Sequence, residues 1–260
     1  LQSLAPKEIV YQKNKRQNFE KDFGTLFYTF MLDEWVFNND YANDLLNQKF
    51  GTKSLKGFGI SDLENGIIAA GVALHYLNET KHHQTEHILN IKRIEEERYV
   101  WMDRFTIRNL ELFYSPNEQA KTLIDVLDET KSAMGRRMLR RWLSLPLKNK
   151  QEITKRHQMV QELISNNAIS ETLSTQIPII GDLERLISKV ATLRINPKEC
   201  SKLKDALYAL EPIKKIIQQS SINPLKDISR RIDVCKTIKI KIETELNDNP
   251  PILLNKGEAP

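Results

Sequence analysis

The chain has 260 residues, of which 40% are hydrophobic, 28% are charged and only 7% are aromatic. This composition is ordinary for a globular protein, and the length exceeds that of most single small domains, so we expect one large or two smaller domains. The net charge is +5 and the sequence pI is about 9.0. A basic chain attracts phosphates, which permits a nucleic-acid partner without requiring one.

Two features of the sequence bear on its surroundings. No apolar run approaches the roughly 20 residues needed to cross a bilayer, so we expect no membrane partner. The two cysteines, Cys200 and Cys235, form no C-x-x-C pair and lie in helical patterns, where cysteine is usually a small buried hydrophobe. A disulfide framework is therefore not expected, and the sequence indicates a reducing cytoplasm.

The N-terminal part of the sequence has a mixed pattern, typical of an α/β domain. Glu8–Gln12 is a short β-branched run that predicts a strand, and the polar run Lys13–Lys21 predicts a loop or an exposed turn. Leu26–Phe37 predicts extended or irregular structure. The spacing of apolar residues then predicts helices at Tyr41–Phe50 and Asp62–Asn78.

The change of pattern along the chain predicts its domains. Residues 1–80 are expected to form a partial α/β domain, and residues 81–93 a linker that is polar in its first half. Helical spacing is nearly continuous after that point, so residues 94–260 are expected to form a helical domain. The fold class predicted for the whole chain is therefore mainly α.

Several helices of the second domain are predicted from caps and prolines. Asp103 can cap a helix that runs through Leu112, and Ser132 can cap one that ends before Pro146. Further helices are predicted at residues 150–166, at residues 182–193 and from Pro197 onward, with Pro212 kinking or dividing the last of these.

The most regular helical pattern is Asn223–Asn247. Its apolar residues recur about every 3.5 positions, with an interruption at Lys239, and this seam is typical of a helix that needs a partner helix. We therefore expect that the chain has been cut from a longer protein. The residues of the seam are Leu225, Ile228, Ile232, Cys235, Ile242 and Leu246.

The predicted helix after Ser132 has a basic face, and its apolar stripe consists of Met134, Met138, Trp142 and Leu145. Positive charge continues through residue 156 against one acid, Glu152. Such a face can bind phosphates without reading sequence, pair with acidic side chains of neighbouring helices, or be solvated, and these alternatives stay open. The candidates for contact with DNA phosphate or with another domain are Arg136, Arg137, Arg140, Arg141, Lys148, Lys150, Lys155 and Arg156.

Two further patterns are only weak indications of a ligand-binding site. Gly66–Gly71 has the first spacing of a phosphate-binding loop but lacks the Lys and Ser/Thr that must follow, so close helix packing is the better interpretation. His82, His83 and His87 cluster in the linker, where a metal site is one hypothesis and solvated histidines are another. We find no pattern of a catalytic, cofactor-binding or metal-binding residue set.

Segments spread over nearly the whole chain carry a resemblance to a known family. They include Phe50-Gly51-Thr52, Gly57-Phe58-Gly59 and a run from Asp103 that reads D-x-x-T-x-R-N-L-E-L. Their order and spacing resemble the bacterial MutS family of DNA mismatch-repair proteins. One departure is the loop at residues 117–121, where the family commonly has a glycine pair and this chain reads N-E-Q-A-K. Other matching segments are Leu127–Thr130, Arg141-Trp142-Leu143, Asp182–Leu186 and Pro250-Pro251.

The resemblance implies that the chain transmits allosteric coupling between distant sites and is not itself catalytic. It would comprise the later part of a connector domain and the first part of a core domain, with Asn223–Asn247 as a lever helix, and would end before the clamp. Arg137, Arg141 and a buried Trp142 would fix a helix junction in the core. ATP and Mg²⁺ would bind an ATPase domain outside this chain.

The resemblance also implies partners. These are double-stranded DNA with mismatches, a second copy in a homodimer and a MutL-like protein bound through the connector, all in the bacterial cytoplasm at the nucleoid. Two alternatives to this scaffold function stay open. One is a stand-alone helical nucleic-acid-binding module that uses the basic face, and the other is a small metal enzyme built on His82, His83 and His87.

Overall fold

The protein is divided into two compact units, unit 1 at residues 1–95 and unit 2 at residues 96–260. Helices dominate both, and the sheet found among the described residues has two strands, so the predicted mainly α class is confirmed. In the described part, no helix has the length and apolar character to cross a membrane. The structure, a computed structural model, describes residues 6–25, 27–80, 85–94, 96–117, 119–247 and 250–251.

The described residues of unit 1 form a small sheet and three α-helices. The two strands are parallel, with Ile9 opposite Thr29 and Gln12 opposite Leu32. Short 3-10 turns occur at Lys13–Lys15, Glu34–Phe37 and Leu55–Phe58. The strands and helices are β1 (Ile9–Gln12), α1 (Arg16–Phe23), β2 (Thr29–Leu32), α2 (Asn39–Phe50) and α3 (Glu64–Glu79).

The prediction of a loop or an exposed turn over Lys13–Lys21 is wrong for most of this run, because α1 begins at Arg16. Arg16 pairs with Glu20 at 2.7 Å, one helical turn further along. The ring of Phe19 stacks on that of Tyr11, with 4.5 Å between centroids. The helix therefore gains its stability from a contact with β1 that the polar composition of the run conceals.

The core of unit 1 is the packing of α2 against α3. Asn38 caps α2 by accepting from the backbone N–H groups of Asp40 and Tyr41, at 2.8 and 3.1 Å. A Cβ atom on Gly71 would lie 2.5 Å from the Cβ atom of Ala42, so the two helices cross at the closest distance that glycine permits. Close packing thus accounts for the small residues of Gly66–Gly71.

Part of the predicted linker packs on unit 1. The Lys49 ammonium donates to the carbonyl oxygen of Thr85 at 2.6 Å, and Arg93 pairs with Asp62 at 2.8 Å. Ile91 packs against the apolar cluster around Leu46. The limits of the predicted domains and of the linker stay a prediction.

Unit 2 is helical, and in its described part the helices from α4 to α10 begin at side-chain caps. Asp103 accepts from the N–H of Thr106 at 2.7 Å, and Ser132 accepts from that of Gly135 at 3.1 Å, so both predicted caps are confirmed. The helices are α4 (Arg104–Asn109), α5 (Leu123–Leu127), α6 (Ala133–Ser144), α7 (Lys150–Ser165), α8 (Asn167–Ile180), α9 (Leu183–Ala191), α10 (Pro197–Gln218), α11 (Asn223–Arg231) and α12 (Lys236–Glu245).

The core of unit 2 forms around α8 and α10. Neither α5 nor α8 is predicted from the sequence, although Ile169 of α8 is almost fully buried. Pro212 does not divide α10, which continues to Gln218. Buried Ala209, Ile213 and Ile217 flank the proline, and their packing maintains the helix across the missing N–H. The helix from Asp103 also ends earlier than Leu112, at Asn109.

The single lever helix predicted at Asn223–Asn247 is wrong, because the chain breaks between α11 and α12. Asp233 Oδ1 accepts from the N–H of Cys235 at 2.9 Å, a side-chain turn that competes with helix. Cys235 takes a left-handed backbone with φ 45°. Lys239 is then buried on the side of α12 that faces α10. Lys239, the residue that interrupts the apolar seam, therefore positions α12 through its contact with Glu211 of α10.

Candidate nucleic-acid interface

The basic face begins where a compact turn starts α6. The hydroxyl of Thr130 donates to Asp128 at 2.5 Å, and this hydrogen bond is the main reason that the pKa of Asp128 lies below its usual range. Arg136 pairs with the other oxygen of the same carboxylate at 2.7 Å. A Cβ on Gly135 would crowd Ser132 and Thr130, so the turn fits closely against the start of the helix. Arg136 is thereby committed to a contact within unit 2.

Arg137 joins α6 to the start of α9. Its guanidinium donates two hydrogen bonds to Asp182, at 2.8 and 2.9 Å, and two to Glu184, at 2.5 and 3.2 Å. The hydrogen bonds to Asp182 and Glu184 raise the pKa of Arg137, and the bond from Arg137 lowers the pKa of Asp182. Bidentate pairs of this kind are among the stronger polar contacts in proteins. Arg137 therefore holds two helices together.

Two further basic side chains lie over aromatic rings. The guanidinium carbon of Arg140 is 4.5 Å from the ring centroid of Phe113, and that of Arg156 is 3.6 Å from the ring of Trp142. Trp142 is 42% exposed, so its predicted burial is wrong. Met138, one turn earlier in the same stripe, is 56% exposed. The stripe of α6 thus reaches the core of unit 2 through Met134, which packs against it.

The remaining four candidates are solvent-exposed. Arg141, Lys148, Lys150 and Lys155 make no ion pair with any residue that the structure describes. They follow one another along the last turn of α6, the connecting loop and the first half of α7. We refer to these four residues as the exposed basic row.

The loop of the exposed basic row is held in place by backbone hydrogen bonds. Val100 N–H donates to Pro146 at 2.7 Å, and Lys148 N–H donates to Arg98 at 3.0 Å. Arg98 in turn pairs with Glu152 through two hydrogen bonds, at 2.7 and 3.2 Å. The ammonium groups of this row therefore extend from a fixed backbone, which suits contact with phosphate oxygens and carries no information about base sequence.

The acidic and aromatic partners of the arginines are not predictable from the sequence. Asp128 and Asp182 belong to matching family segments, yet nothing in their spacing assigns Arg136 to one and Arg137 to the other. Phe113 gave no signal at all, because a ring beneath an arginine is set by the approach of two separate segments. The possible contact with DNA of all eight basic candidates stays a prediction.

The histidine hypothesis finds no support in the described residues. His82 and His83 lie outside the part of the chain that the structure describes. Within that part, no group of three or more His, Cys, Asp or Glu side chains is placed to hold a metal ion.

Comparisons with known proteins relate both units to one family. The family model of MutS domain II matches residues 1–89, and that of MutS domain III matches residues 105–260. The chain is 49% identical over 257 residues to the DNA mismatch repair protein MutS of Christiangramia forsetii, covering 99% of this chain and 30% of that protein.

Two further relatives agree. The DNA mismatch repair proteins MutS of Flavobacterium psychrophilum and Phocaeicola vulgatus are 48% and 44% identical to it over 259 and 257 residues, covering 100% and 99% of this chain. The chain spans 30% of the length of each of these relatives. Since a domain III model matches more than half of the chain, the chain belongs to the MutS family.

Proposed function

We propose that the chain is the scaffold and transmission segment of a DNA mismatch-recognition protein. The observation that carries this proposal is the identity of 44–49% over nearly the whole chain to proteins named for DNA mismatch repair. The segment couples ligand-binding sites that lie in other parts of a longer protein, and it catalyses no reaction of its own. Its described residues offer packed helices and cross-helix ion pairs, which is what transmission requires.

The physical basis of transmission is a rigid junction. A coupling element must change between discrete arrangements that two sites favour differently. Helices joined by a bidentate pair move together, because cores shift between packings rather than deform smoothly. In this proposal Arg137 and Asp182 make α6 and α9 one lever, while Trp142 and Arg156 brace α6 against α7.

The proposal assigns the remaining functions of the family to other parts of a longer protein. ATP and Mg²⁺ bind outside these 260 residues, and this chain catalyses no hydrolysis of its own. Mismatched double-stranded DNA is the ligand of the assembly, which forms from two copies. Unit 1 contacts a MutL-like partner, and the assembly works in the cytoplasm at the nucleoid.

A chimera tests the transmission role. The matching region of Flavobacterium psychrophilum MutS is replaced by this chain and expressed in a bacterium that lacks its own MutS. We expect the chimera to restore a low mutation rate, and Arg137→Met within it to raise that rate while mismatch binding is retained. The matched control Arg194→Met changes an exposed arginine of unit 2 that has no ion pair with a described residue and lies outside the exposed basic row. Equal mutation rates for the two variants would contradict the role of the junction.

A second candidate function is favoured by the exposed basic row. These four side chains are free to neutralise phosphates, so the chain alone can bind duplexes without sequence preference. Anisotropy of labelled perfect and G·T-mismatched duplexes across a salt series separates the two functions. Equal binding to both duplexes, with a log–log salt slope of about −3 to −4 for four contacts, would favour the stand-alone binder.

The matched variants for this titration carry the same change of charge. One replaces Arg141, Lys148, Lys150 and Lys155 by Gln, and the control replaces exposed Lys198, Lys202, Lys215 and Lys236 by Gln. A loss of binding confined to the first variant assigns phosphate contact to the exposed basic row. Absence of binding near 100 mM salt, an ionic strength that leaves multivalent phosphate contacts detectable, would support transmission by a chain that does not itself grip DNA.

A further inference from the structure

An exposed tryptophan lies beside the loop of the exposed basic row. Trp101 is 72% exposed, and the residues just before it pair with that loop. Tyr99 and Leu147 form an antiparallel bridge, and Val100 N–H donates to Pro146 at 2.7 Å. The backbone at Trp101 therefore lies next to the end of α6.

A second exposed tryptophan is on the last turn of α6. Trp142 is 42% exposed, although the guanidinium carbon of Arg156 lies 3.6 Å from its ring centroid. Neither Trp142 nor Trp101 belongs to an apolar cluster of the described residues. Large exposed apolar side chains on one surface are informative, because packing within the fold does not account for them. Both rings are thus open to a ligand.

The cations of the exposed basic row are interleaved with these two rings. Arg141 directly precedes Trp142 in α6. Lys148 N–H donates to the carbonyl oxygen of Arg98 at 3.0 Å, so Lys148 belongs to the same pairing that positions Trp101. Lys150 follows in the first turn of α7, and Lys155 directly precedes Arg156. A chain of phosphates that follows this row therefore passes both indoles.

The acids of this surface leave its charge positive. Residues 97–103 and 133–156 contain three acids. Glu152 is paired with Arg98 at 2.7 Å, and the carboxylate of Asp103 caps α4. Glu97 alone is exposed without an ion pair to a described residue, against the four cations of the exposed basic row. An anionic ligand is therefore favoured over an apolar one, which would desolvate these cations without compensating their charge.

We propose that Trp101, Trp142 and the exposed basic row together bind single-stranded nucleic acid. Unpaired bases stack on the two indoles, while the four cations contact the phosphates between them. A duplex has its base faces stacked on one another, so it can use the cations but not the rings. This binding mode rests on the phosphate contacts of the second candidate function and does not depend on the transmission role.

Two labelled strands of equal length separate stacking from phosphate contact. One is oligo(dT) of about 20 nucleotides, which exceeds typical site sizes of ~4–16 nucleotides, and the other carries abasic residues throughout. Both have the same phosphates, and only the first has bases. By anisotropy near 100 mM salt, we expect the full chain to bind oligo(dT) at least ~5-fold more tightly than the abasic strand.

Trp101→Leu isolates one ring. Because Trp101 is 72% exposed, the fold should persist, as circular dichroism will report. The affinity for oligo(dT) should fall at least ~5-fold, the loss expected for one stacked base, while the affinities for the abasic strand and for a duplex stay unchanged. The matched control is Trp35→Leu, which changes a tryptophan of unit 1 that is 57% exposed and should leave all three affinities unchanged.

The control variant also provides a direct readout of stacking. Trp35, Trp101 and Trp142 are the three tryptophans of the chain, so the emission of Trp35→Leu comes from the two proposed rings alone. We expect oligo(dT) to quench this emission and the abasic strand to leave it unchanged. Equal affinity for the two strands, or unchanged oligo(dT) binding by Trp101→Leu, would overturn base stacking and leave phosphate contact intact. Absence of binding by either strand would overturn both.

Discussion

The guanidinium of Arg137 and the carboxylate of Asp182, 45 positions apart in the sequence, meet through two hydrogen bonds of 2.8 and 2.9 Å. Asp182 is also the cap of α9, since its Oδ1 accepts from the N–H of Arg185 at 3.3 Å. One carboxylate thus both starts a helix and anchors it to α6. The pair is half-exposed on the side of Arg137, so solvent screens part of its strength.

Replacement of Arg137 by Met should destabilise unit 2 by about 1–2 kcal/mol, because the bidentate contact is lost while the aliphatic stem is retained. Urea melts followed by circular dichroism measure the change. Arg141→Met is the control, since Arg141 has no described ion pair, and should stay within about 0.5 kcal/mol of the parent chain. Equal midpoints for the two variants would show that the Arg137 contact contributes nothing.

The stability supplied by Asp182 should depend on pH. Arg137 lowers the pKa of Asp182 in the folded state, so the carboxylate stabilises the fold above its unfolded pKa of about 3.9. The contribution is lost as pH falls through the lower folded pKa. The difference in unfolding free energy between the parent chain and Arg137→Met should therefore be full above about pH 5 and shrink below about pH 4. A difference that is constant over this window would contradict the assignment.

Gly71→Ala should destabilise unit 1 by about 1–3 kcal/mol, because the new Cβ would overlap that of Ala42 and force α2 from α3. Gly57→Ala is the matched control. A Cβ on Gly57 meets no atom within 4 Å, so this variant should be neutral or slightly stabilised. Thermal melts of the two variants measure the change in stability. A Gly71→Ala protein as stable as the parent chain would show that α2 and α3 do not cross so closely.

Trp142→Ala should cost about 1–2 kcal/mol, less than the roughly 3–5 kcal/mol expected of a buried ring. The ring is partly exposed and is covered on one face by Arg156. A double-mutant cycle with Arg156→Met should give a coupling free energy of about 0.5–1 kcal/mol. A coupling free energy of zero would mean that Trp142 and Arg156 do not stack in solution. A loss above about 3 kcal/mol for Trp142→Ala would indicate that the ring is buried.

Lys239 and Glu211 should respond unequally to substitution. Lys239 is 4% exposed, pairs with Glu211 and lies 4.3 Å from the ring of Tyr208. Glu211→Gln leaves a buried ammonium without its carboxylate and should cost about 1–3 kcal/mol, a range reduced because Glu211 is itself 43% exposed. Lys239→Met fills the same space without charge and should cost less, as denaturant melts will report. The reverse order would contradict the buried pair.

Features that depend on neighbouring residues could be predicted from the sequence. The caps at Asp103 and Ser132 were predictable because each side chain bonds an N–H three residues later, and the same spacing is visible in the chain. The α2 and α3 helices followed from apolar spacing. The basic stretch was recognised for the same reason, since its charges are close in sequence.

Features that depend on contacts between separate segments could not be predicted from the sequence. The polar run of α1 is helical where Phe19 stacks on Tyr11, and Lys239 of α12 is buried where the fold brings it to Glu211 of α10. Charge alone did not distinguish Arg137, which is committed to Asp182, from Arg141, which is exposed. That distinction depends on which acid the fold brings close, and no local pattern encodes it.

The parallel pairing of β1 with β2 has a consequence for the order in which unit 1 folds. Parallel neighbours cannot be joined by a tight hairpin, so the chain must leave β1, traverse α1 and return before Ile9 can face Thr29. The loop-closure entropy of that excursion is lost before any ladder bond forms. α2 and α3 are built from local contacts, so they should appear first and act as the template on which the two strands later register.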